Sequence, residues 1–162
     1  MLNEETNSQE RPDAITLLTR QHRKAKSIFE KFDQIKDKDS AEEKYALAQQ
    51  VCAELLIHME IEEKIFYPAA REKIEEDKVN EALIEHQSAK QLIEQLGQIK
   101  PNDPMFAARM TVLSEQINHH VKEEENEMFP EARNKKLDLE ELGQQLQSAA
   151  NRLRRQHGIP PE

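Results

Sequence analysis

Apolar residues recur at alternating spacings of three and four along most of the chain, which is the period of an α-helix with one buried face. The first stripe follows Asp13, a residue type that suits a helix N-cap. It comprises Ile15, Leu18, His22, Ala25, Phe29 and Phe32. A second stripe begins after a polar loop that ends at Ser40, another residue type that caps helices. It comprises Ala48, Val51, Leu55, His58, Glu62 and Ile65.

The same pattern continues through the second half of the chain. Asp77 and Asn80 predict a break, and the third stripe then comprises Ala82, His86, Ala89, Ile93 and Leu96. Gly97 and the proline-rich turn at residues 101–104 predict its end. The fourth stripe comprises Phe106, Met110, Leu113, Ile117, His120, Glu124 and Met128. A last amphipathic segment runs from about residue 139 to residue 153.

These segments predict an all-α fold, because short connections make successive helices antiparallel neighbours. We expect a disordered lead-in over residues 1–12, an up-down four-helix bundle over residues 13–135, and a C-terminal amphipathic helix with its tail over residues 136–162. The last helix would cover the bundle or mediate dimerisation, so a monomer and a homodimer both remain open. Its end carries cations that suit a helix C-terminus, namely Arg152, Arg154 and Arg155.

The composition favours helices and limits the kinds of partner that the protein can bind. Charged residues make up 34% of the chain, with three glycines and no tryptophan, which favours amphipathic helices over a β-sandwich. A formal charge of -9 opposes binding to a phosphate backbone, so we expect no nucleic-acid partner. No apolar run approaches a membrane span, and the polar N-terminus does not resemble a signal peptide. The single cysteine, Cys52, cannot form an internal disulfide; we expect an inert buried thiol and a cytoplasmic protein.

Six titratable residues occupy positions that the helical period assigns to the core. They are His22, His58, Glu62, His86, His120 and Glu124. Burying such groups without partners would cost on the order of several kcal/mol each. A multivalent cation would remove that cost, because imidazole nitrogens and carboxylate oxygens are good ligands for iron, manganese or zinc. Residues four apart on a helix share a face, so each His-x-x-x-Glu pair can reach one metal cluster.

The histidines also mark an internal repeat. His22 precedes His58 by 36 residues, and His86 precedes His120 by 34. After both His58 and His120, the chain has Glu at +4, Glu at +5, an aromatic residue at +9 and Pro at +10. Two helical hairpins of one pattern predict a pseudo-twofold bundle, in which one glutamate from each hairpin can bridge two metals at the centre.

At these residues the chain resembles the hemerythrin-like family, or HHE cation-binding domain. Its motif is an isolated His followed by His-x-x-x-Glu, occurring twice, and the resemblance spans roughly residues 13–131. It implies an up-down four-helix bundle with two non-haem irons that are bridged by carboxylates and by an oxo or hydroxo group. The ligands that it implies are His22, His58, Glu62, His86, His120 and Glu124.

One residue departs from the oxygen-carrying members of that family. They have a further His four residues after the one that matches His86, and this chain has Lys90 there. One iron would then lack a protein ligand, which favours an open position for water, peroxide or another small ligand. We expect the Lys90 side chain to point outwards or to approach a metal-bound anion.

Residues beside the six candidates leave alternatives open. Glu63 and Glu125 are expected to be solvated or to hydrogen-bond a metal-binding His. His119 has its own Glu at +4, Glu123, and offers a register shifted by one residue; the matching prolines favour His120.

Three further residues are assigned to packing or to the surface. Tyr67 and Phe129 are expected to close the bundle end by packing, with electron transfer a lesser role for Tyr67. His157 lies beyond the repeats and is expected at the surface.

The predicted function is a di-iron protein that binds or reacts with O2, NO or peroxide in sensing, scavenging or a stress response. Two alternatives remain: an iron-binding or sensing module without turnover, and a metal-free helical interaction domain. A ferritin-like carboxylate enzyme is disfavoured, because no histidine has Glu three residues before it. The sequence leaves open whether the protein is an enzyme.

Overall fold

The computed structural model describes residues 11–162, and all regular secondary structure in that range is helical. In chain order the elements are α1 (Ala14–Ile35), α2 (Ala41–Ile61), a π-helical turn (Glu62–Phe66), α3 (Tyr67–Arg71), α4 (Glu76–Leu96), α5 (Pro104–Glu123), a second π-helical turn (Glu124–Met128), α6 (Phe129–Asn134) and α7 (Leu139–Gln156). Within residues 11–162, none of these helices combines the length and the apolar character that crossing a membrane requires.

Four long helices form the bundle. Helix α1 packs against α2 and α5, and α4 packs against α5 and α2, so each long helix lies beside its neighbours in an up-down arrangement. Helix α7 lies across α1, α2 and the first π-helical turn. These contacts confirm the predicted four-helix bundle with an additional C-terminal helix, and they place that helix as a cover on its own chain.

The start of α1 follows the predicted capping chemistry. The Asp13 carboxylate accepts a hydrogen bond from the Thr16 amide at 2.8 Å, which satisfies one free N–H of the first turn. Ser40 precedes α2, but its side chain makes no capping hydrogen bond. Most of the predicted lead-in, residues 1–10, lies outside the described residues.

The break predicted at Asp77 and Asn80 is misplaced. The chain leaves the helix at residues 72–75, and both residues lie inside α4. Asp77 sits in the first turn, where an acidic side chain complements the helix dipole. Asn80 accepts a hydrogen bond from Arg71 Nη2 at 2.8 Å, which joins α4 to α3. Both residue types therefore stabilise the beginning of the helix.

Two π-helical turns carry the chain past Pro68 and Pro130 without a break. The Tyr67 N–H donates to the Glu62 carbonyl, and the Phe129 N–H donates to the Glu124 carbonyl, each five residues back. A proline lacks an N–H and its ring crowds the carbonyl four residues earlier, so a widened turn just before it relieves the crowding. Each turn begins at one of the two candidate bridging glutamates.

Two apolar clusters fill the bundle on either side of these glutamates. The cluster under α7 includes Leu18, Ile57, Ile61, Phe66, Tyr67, Phe129 and Leu146. The cluster at the opposite end includes Phe29, Phe32, Val51, Leu55, Phe106, Met110 and Leu113. The polar residues between them are thereby isolated from bulk water on two sides.

Helix α7 approaches the start of α1 so closely that only glycine fits at one position. A Cβ added at Gly143 would lie 2.5 Å from the Pro12 carbonyl oxygen and 2.9 Å from the Asp13 Cα. Both are backbone atoms and cannot rotate away. We expect Gly143→Ala to lower the free energy of unfolding by about 1–3 kcal/mol, despite the higher helix propensity of alanine.

Urea denaturation of the metal-free protein measures this effect, with Gly97→Ala as the control. A Cβ at Gly97 would meet nothing closer than 3.4 Å, so this variant should match or slightly exceed the wild-type stability. Equal gains in stability at both positions would contradict the close approach.

The C-terminal tail is held by a buried ion pair that the sequence pattern did not reveal. Arg154 is only 6% exposed, and its Nη1 donates to both Glu54 oxygens at 2.9 and 2.7 Å. Its Nε donates to the Pro160 carbonyl at 2.6 Å, and Lys24 Nζ lies 3.0 Å from Glu54. The pair fastens α7 to α2.

Removing one member of this pair should destabilise the fold strongly. We expect Glu54→Gln to cost about 3 kcal/mol of unfolding free energy, because the buried Arg154 charge loses its counter-ion. Urea denaturation of metal-free protein gives the value. The control is Glu60→Gln on the same helix, which removes a surface pair with Lys64 and should change stability by less than about 0.5 kcal/mol. Similar losses in both variants would argue against a special role for the Arg154 pair.

Candidate metal centre

All six predicted residues converge midway along the bundle. His22 projects from α1, His58 from α2, His86 from α4 and His120 from α5, while Glu62 and Glu124 open the two π-helical turns. None of the six residues is more than 6% exposed, and Glu62 is fully buried. The structure therefore brings the two hairpins of the repeat to one common centre.

The Glu62 carboxylate lies between imidazoles from both hairpins. Its Oε1 is 2.9 Å from His58 Nε2 and 3.3 Å from His86 Nε2. Neither these contacts nor any others in the described residues give the Glu62 oxygens or His58 Nε2 a hydrogen bond. Close approach without hydrogen-bond alignment is what ligands of a common ion show, and buried polar atoms otherwise require partners.

The Glu124 carboxylate has the matching position on the other side of the pseudo-twofold axis. Its Oε1 is 3.2 Å from His22 Nε2 and 3.1 Å from His120 Nε2. Its Oε2 accepts a hydrogen bond from the Tyr67 hydroxyl at 2.9 Å. Tyr67 thus does more than pack at the end of the bundle, because its hydroxyl fixes the orientation of one candidate bridge.

The imidazoles of the second hairpin are backed by carboxylates. Nδ1 of His120 lies 2.9 Å from Glu85 Oε1, and Nδ1 of His86 lies 3.2 Å from Glu63 Oε2. Donation from Nδ1–H leaves Nε2 as the inward-facing lone pair, the form that binds metals. Lys90 forms an ion pair with Glu63, since its Nζ lies 2.7 Å from Glu63 Oε2. It therefore points away from the centre and neutralises Glu63.

The imidazoles of the first hairpin have weaker partners. Nδ1 of His58 lies 2.6 Å from the Gln21 side-chain oxygen. Nδ1 of His22 is buried and has no hydrogen bond within residues 11–162, where the Glu125 carboxylate oxygen lies 3.9 Å away. Glu63 and Glu125 were predicted from the sequence as possible partners of metal-binding histidines, whereas Gln21 and Glu85 were not. The internal repeat could have revealed these two residues, because Gln21 directly precedes His22 and Glu85 directly precedes His86, the isolated histidines of the two hairpins.

Charge and burial compete at this centre. Burial opposes ionisation of Glu62, but the attraction of the neighbouring His58 holds the pKa of Glu62 well below its ordinary value. Burial likewise opposes protonation of His120, yet the Glu124 carboxylate raises the pKa of His120 well above its ordinary value. Glu62 is thus kept ionised, and the centre favours positive charge.

Tyr67 remains a neutral phenol beside these carboxylates. Burial and the nearby negative charges of Glu124 and Glu62 raise the pKa of Tyr67 well above its ordinary value. Its hydroxyl therefore keeps the proton that it donates to Glu124.

The donor set fits a pair of transition-metal ions. His86 Nε2 and His120 Nε2 lie 3.2 Å apart, and two facing lone pairs at that distance repel unless a proton or a cation lies between them. Four imidazoles and two carboxylates, divided into two clusters that share Glu62, match the ligand preferences of iron, manganese or zinc.

The other predicted residues lie outside this centre. The side chain of His119 is 67% exposed and lies 3.0 Å from Glu123, so the structure places His120, and not His119, at the centre. His157 is exposed. Cys52 is half-buried, and burial raises the pKa of its thiol to about 11, which keeps the thiol protonated and unreactive at neutral pH.

A groove and a small cavity lie beside the centre. A groove of about 870 Å³ runs between α1 and α5, and its walls include His22, Ile117 and Val121. A small cavity of about 10 Å³ borders all four centre histidines and shares those three wall residues. The inner cavity is close to the size of one water molecule. A ligand of two or three atoms could enter along the groove.

A helical bundle with these inward-facing groups defines a histidine–carboxylate metal-binding protein. The chain belongs to the hemerythrin HHE cation binding domain family, whose pattern matches residues 13–132. Its fold is similar to the crystal structure of a hemerythrin HHE cation binding domain-containing protein from Mycobacterium kansasii. That match has a TM-score of 0.76 and 25% identity, and it covers 90% of this chain and 89% of the other.

A second relative has a different name. A protein named DNA nickase from Nostoc sp. is 31% identical over 113 residues, which are 70% of this chain and 31% of that protein. The chain therefore spans about a third of the length of this relative.

Proposed function

We propose that this protein is a non-haem di-iron protein that binds or reacts with O2, NO or peroxide. The observation that carries the proposal is the arrangement of Glu62 and Glu124, each of which has one oxygen between imidazoles of both hairpins. His22 and His58 would hold one iron, and His86 and His120 the other. Iron bound by such ligands cycles between ferrous and ferric states and takes up small ligands at an open position.

The protein's own residues would restrict what reaches the centre. The inner cavity beside the four histidines would admit only a ligand of a few atoms, and His22, Ile117 and Val121 form walls of both this cavity and the groove between α1 and α5. The two apolar clusters exclude bulk water from the ends of the centre. The Tyr67 hydroxyl holds its proton at Glu124 Oε2, where it orients that carboxylate. These features favour a small, uncharged or singly charged ligand over a larger substrate.

Metal analysis and the visible spectrum of aerobically purified protein test the proposal. We expect two irons per chain and near-ultraviolet absorption that shifts when azide is added. Protein without iron, or a spectrum that azide leaves unchanged, would overturn it. Stopped-flow mixing with peroxide or NO then separates two roles: an enzyme consumes many equivalents per iron, whereas a sensing module saturates after about one ligand per site.

The similarity to the Nostoc nickase does not change this proposal. The chain carries a formal charge of -9, which disfavours a phosphate backbone, so the absence of a nucleic-acid partner stays our prediction.

A further inference from the structure

The two halves of the centre present the same groups inwards but differ behind them. We call His22 and His58 the α1–α2 position, and His86 and His120 the α4–α5 position. Each position offers two imidazole Nε2 atoms, and both have access to Glu62 and Glu124. Any difference in metal affinity between the positions must therefore come from the residues that surround these ligands.

At the α4–α5 position, both imidazoles donate to carboxylates. The partners are Glu85, 2.9 Å from His120 Nδ1, and Glu63, 3.2 Å from His86 Nδ1. A carboxylate behind an imidazole fixes the ring and makes its inward nitrogen a stronger donor to a metal.

At the α1–α2 position, neither imidazole has a carboxylate partner among the residues that the structure describes. His58 Nδ1 lies 2.6 Å from the neutral amide oxygen of Gln21. His22 Nδ1 has no hydrogen bond in the same part of the chain, and the His22 ring stacks on Phe129 with the centroids 5.9 Å apart. This position also borders the groove between α1 and α5, which His22 lines.

The internal repeat shows that the main difference between the two positions lies at one equivalent residue in each hairpin. Gln21 and Glu85 occupy the same place in the two hairpins, each directly before the isolated histidine, and each contacts the second histidine of its own hairpin. The pseudo-twofold symmetry that equalises the inward-facing ligands is thus broken by an amide in one half and a carboxylate in the other.

We infer that the α4–α5 position binds its metal more tightly than the α1–α2 position, with Glu85 and Gln21 as the positioning residues that set the difference. The inference rests on the proposed two-metal centre. Partners of this kind change metal affinity by about 10–100-fold when they are removed, and we expect a gap of that size between the two positions.

Stepwise removal of Zn²⁺ measures the gap without any redox chemistry. Full-length protein loaded with Zn²⁺ is equilibrated against chelator buffers of graded free Zn²⁺, and the metal per chain is determined. The wild type should lose its metals in two steps, about 10–100-fold apart in free Zn²⁺. His22→Ala should keep the tight step, and His86→Ala should keep the weak one.

Exchanging the two partners should reverse the order. Gln21→Glu should shift the weak step about 10-fold towards tighter binding, and Glu85→Gln should shift the tight step about 10–100-fold towards weaker binding. When His22→Ala is added to the charge-balanced double variant Gln21→Glu/Glu85→Gln, one binding step should remain, and it should be the weak one. The matched control is Glu81→Gln, which removes an exposed charge one turn before Glu85 and should leave both steps within about 2-fold.

The outcomes separate the inference from the function on which it rests. Two Zn²⁺ ions lost in a single unresolved step, or an order unaffected by the exchange, would overturn the inference and leave a two-metal centre intact. A maximum of one Zn²⁺ per chain would instead overturn the two-metal centre itself.

Discussion

Replacing His58 and His120 together with leucine should leave less than about a tenth of the wild-type metal per chain. One substitution falls at each metal position, and each removes an imidazole whose Nε2 lies within 3.1 Å of a candidate bridging carboxylate. Loss of a direct ligand should weaken binding at least as much as loss of the partner behind it, which costs about 10–100-fold. Metal analysis of the purified variants gives the result.

The same double variant should be less stable than the wild type, by about 3 kcal/mol or more, when both are metal-free. Leucine removes the imidazoles that lie 2.9 Å from the buried Glu62 carboxylate and 3.1 Å from the buried Glu124 carboxylate, and a buried charge that loses its partner destabilises the fold. Urea denaturation tests this part. The matched control is His119→Leu/His157→Leu, which removes two exposed imidazoles and should retain full metal content. A metal-free interaction domain would instead show the same background metal content in all three proteins.

Removing the metals with a strong chelator should lower the melting temperature by about 15–30 °C. A ligand at 1,000 times its dissociation constant stabilises the folded state by about 4 kcal/mol, so two such sites contribute about 8 kcal/mol. For a chain of this size, each kcal/mol corresponds to about 2–4 °C. The fully buried Glu62, whose oxygens have no hydrogen-bond partner in the described residues, is the physical reason that the metal-free state is weakened.

Thermal unfolding with and without chelator measures this shift. The His58→Leu/His120→Leu variant is the control, because it should melt at the same temperature in both conditions. A wild-type shift below about 2 °C would show that the centre contributes little to folding, and the buried carboxylates would then need another explanation.

The helical period predicted the fold and the centre because both depend on the same stripe of positions. His22 and His86 follow apolar residues at spacings of three or four, so their place in the core could be read directly. The spacing of His58 to Glu62 could be interpreted in the same way. A polar residue at a core position is an informative departure from the pattern, since burial demands a partner for it.

Features that depend on a second helix could not be read from one stripe. Gln21 and Glu85 lie at half-buried positions that resemble ordinary surface, and only their contacts across the bundle show what they do. Arg154 looked like a cation at a helix end, but its partner Glu54 lies 100 residues away in the chain. Long-range pairs of this kind leave no periodic signal.

The π-helical turns show a further limit of periodicity. The stripe assumes a constant period, and it continues through Glu62 and Glu124 as if the helix were regular. The structure instead has a widened turn just before Pro68 in one hairpin and just before Pro130 in the other. The two turns occur at equivalent places because the same residues recur in both halves of the chain.

Anomalous X-ray scattering at the iron edge, from crystals of aerobically purified protein, tests the centre most directly. We predict two peaks between Glu62 and Glu124, one beside His22 and His58 and one beside His86 and His120. Density without an anomalous signal at those side chains would contradict the central claim. So would a metal found only at the outer group of the half-buried Glu85 and Glu123 with the exposed His119.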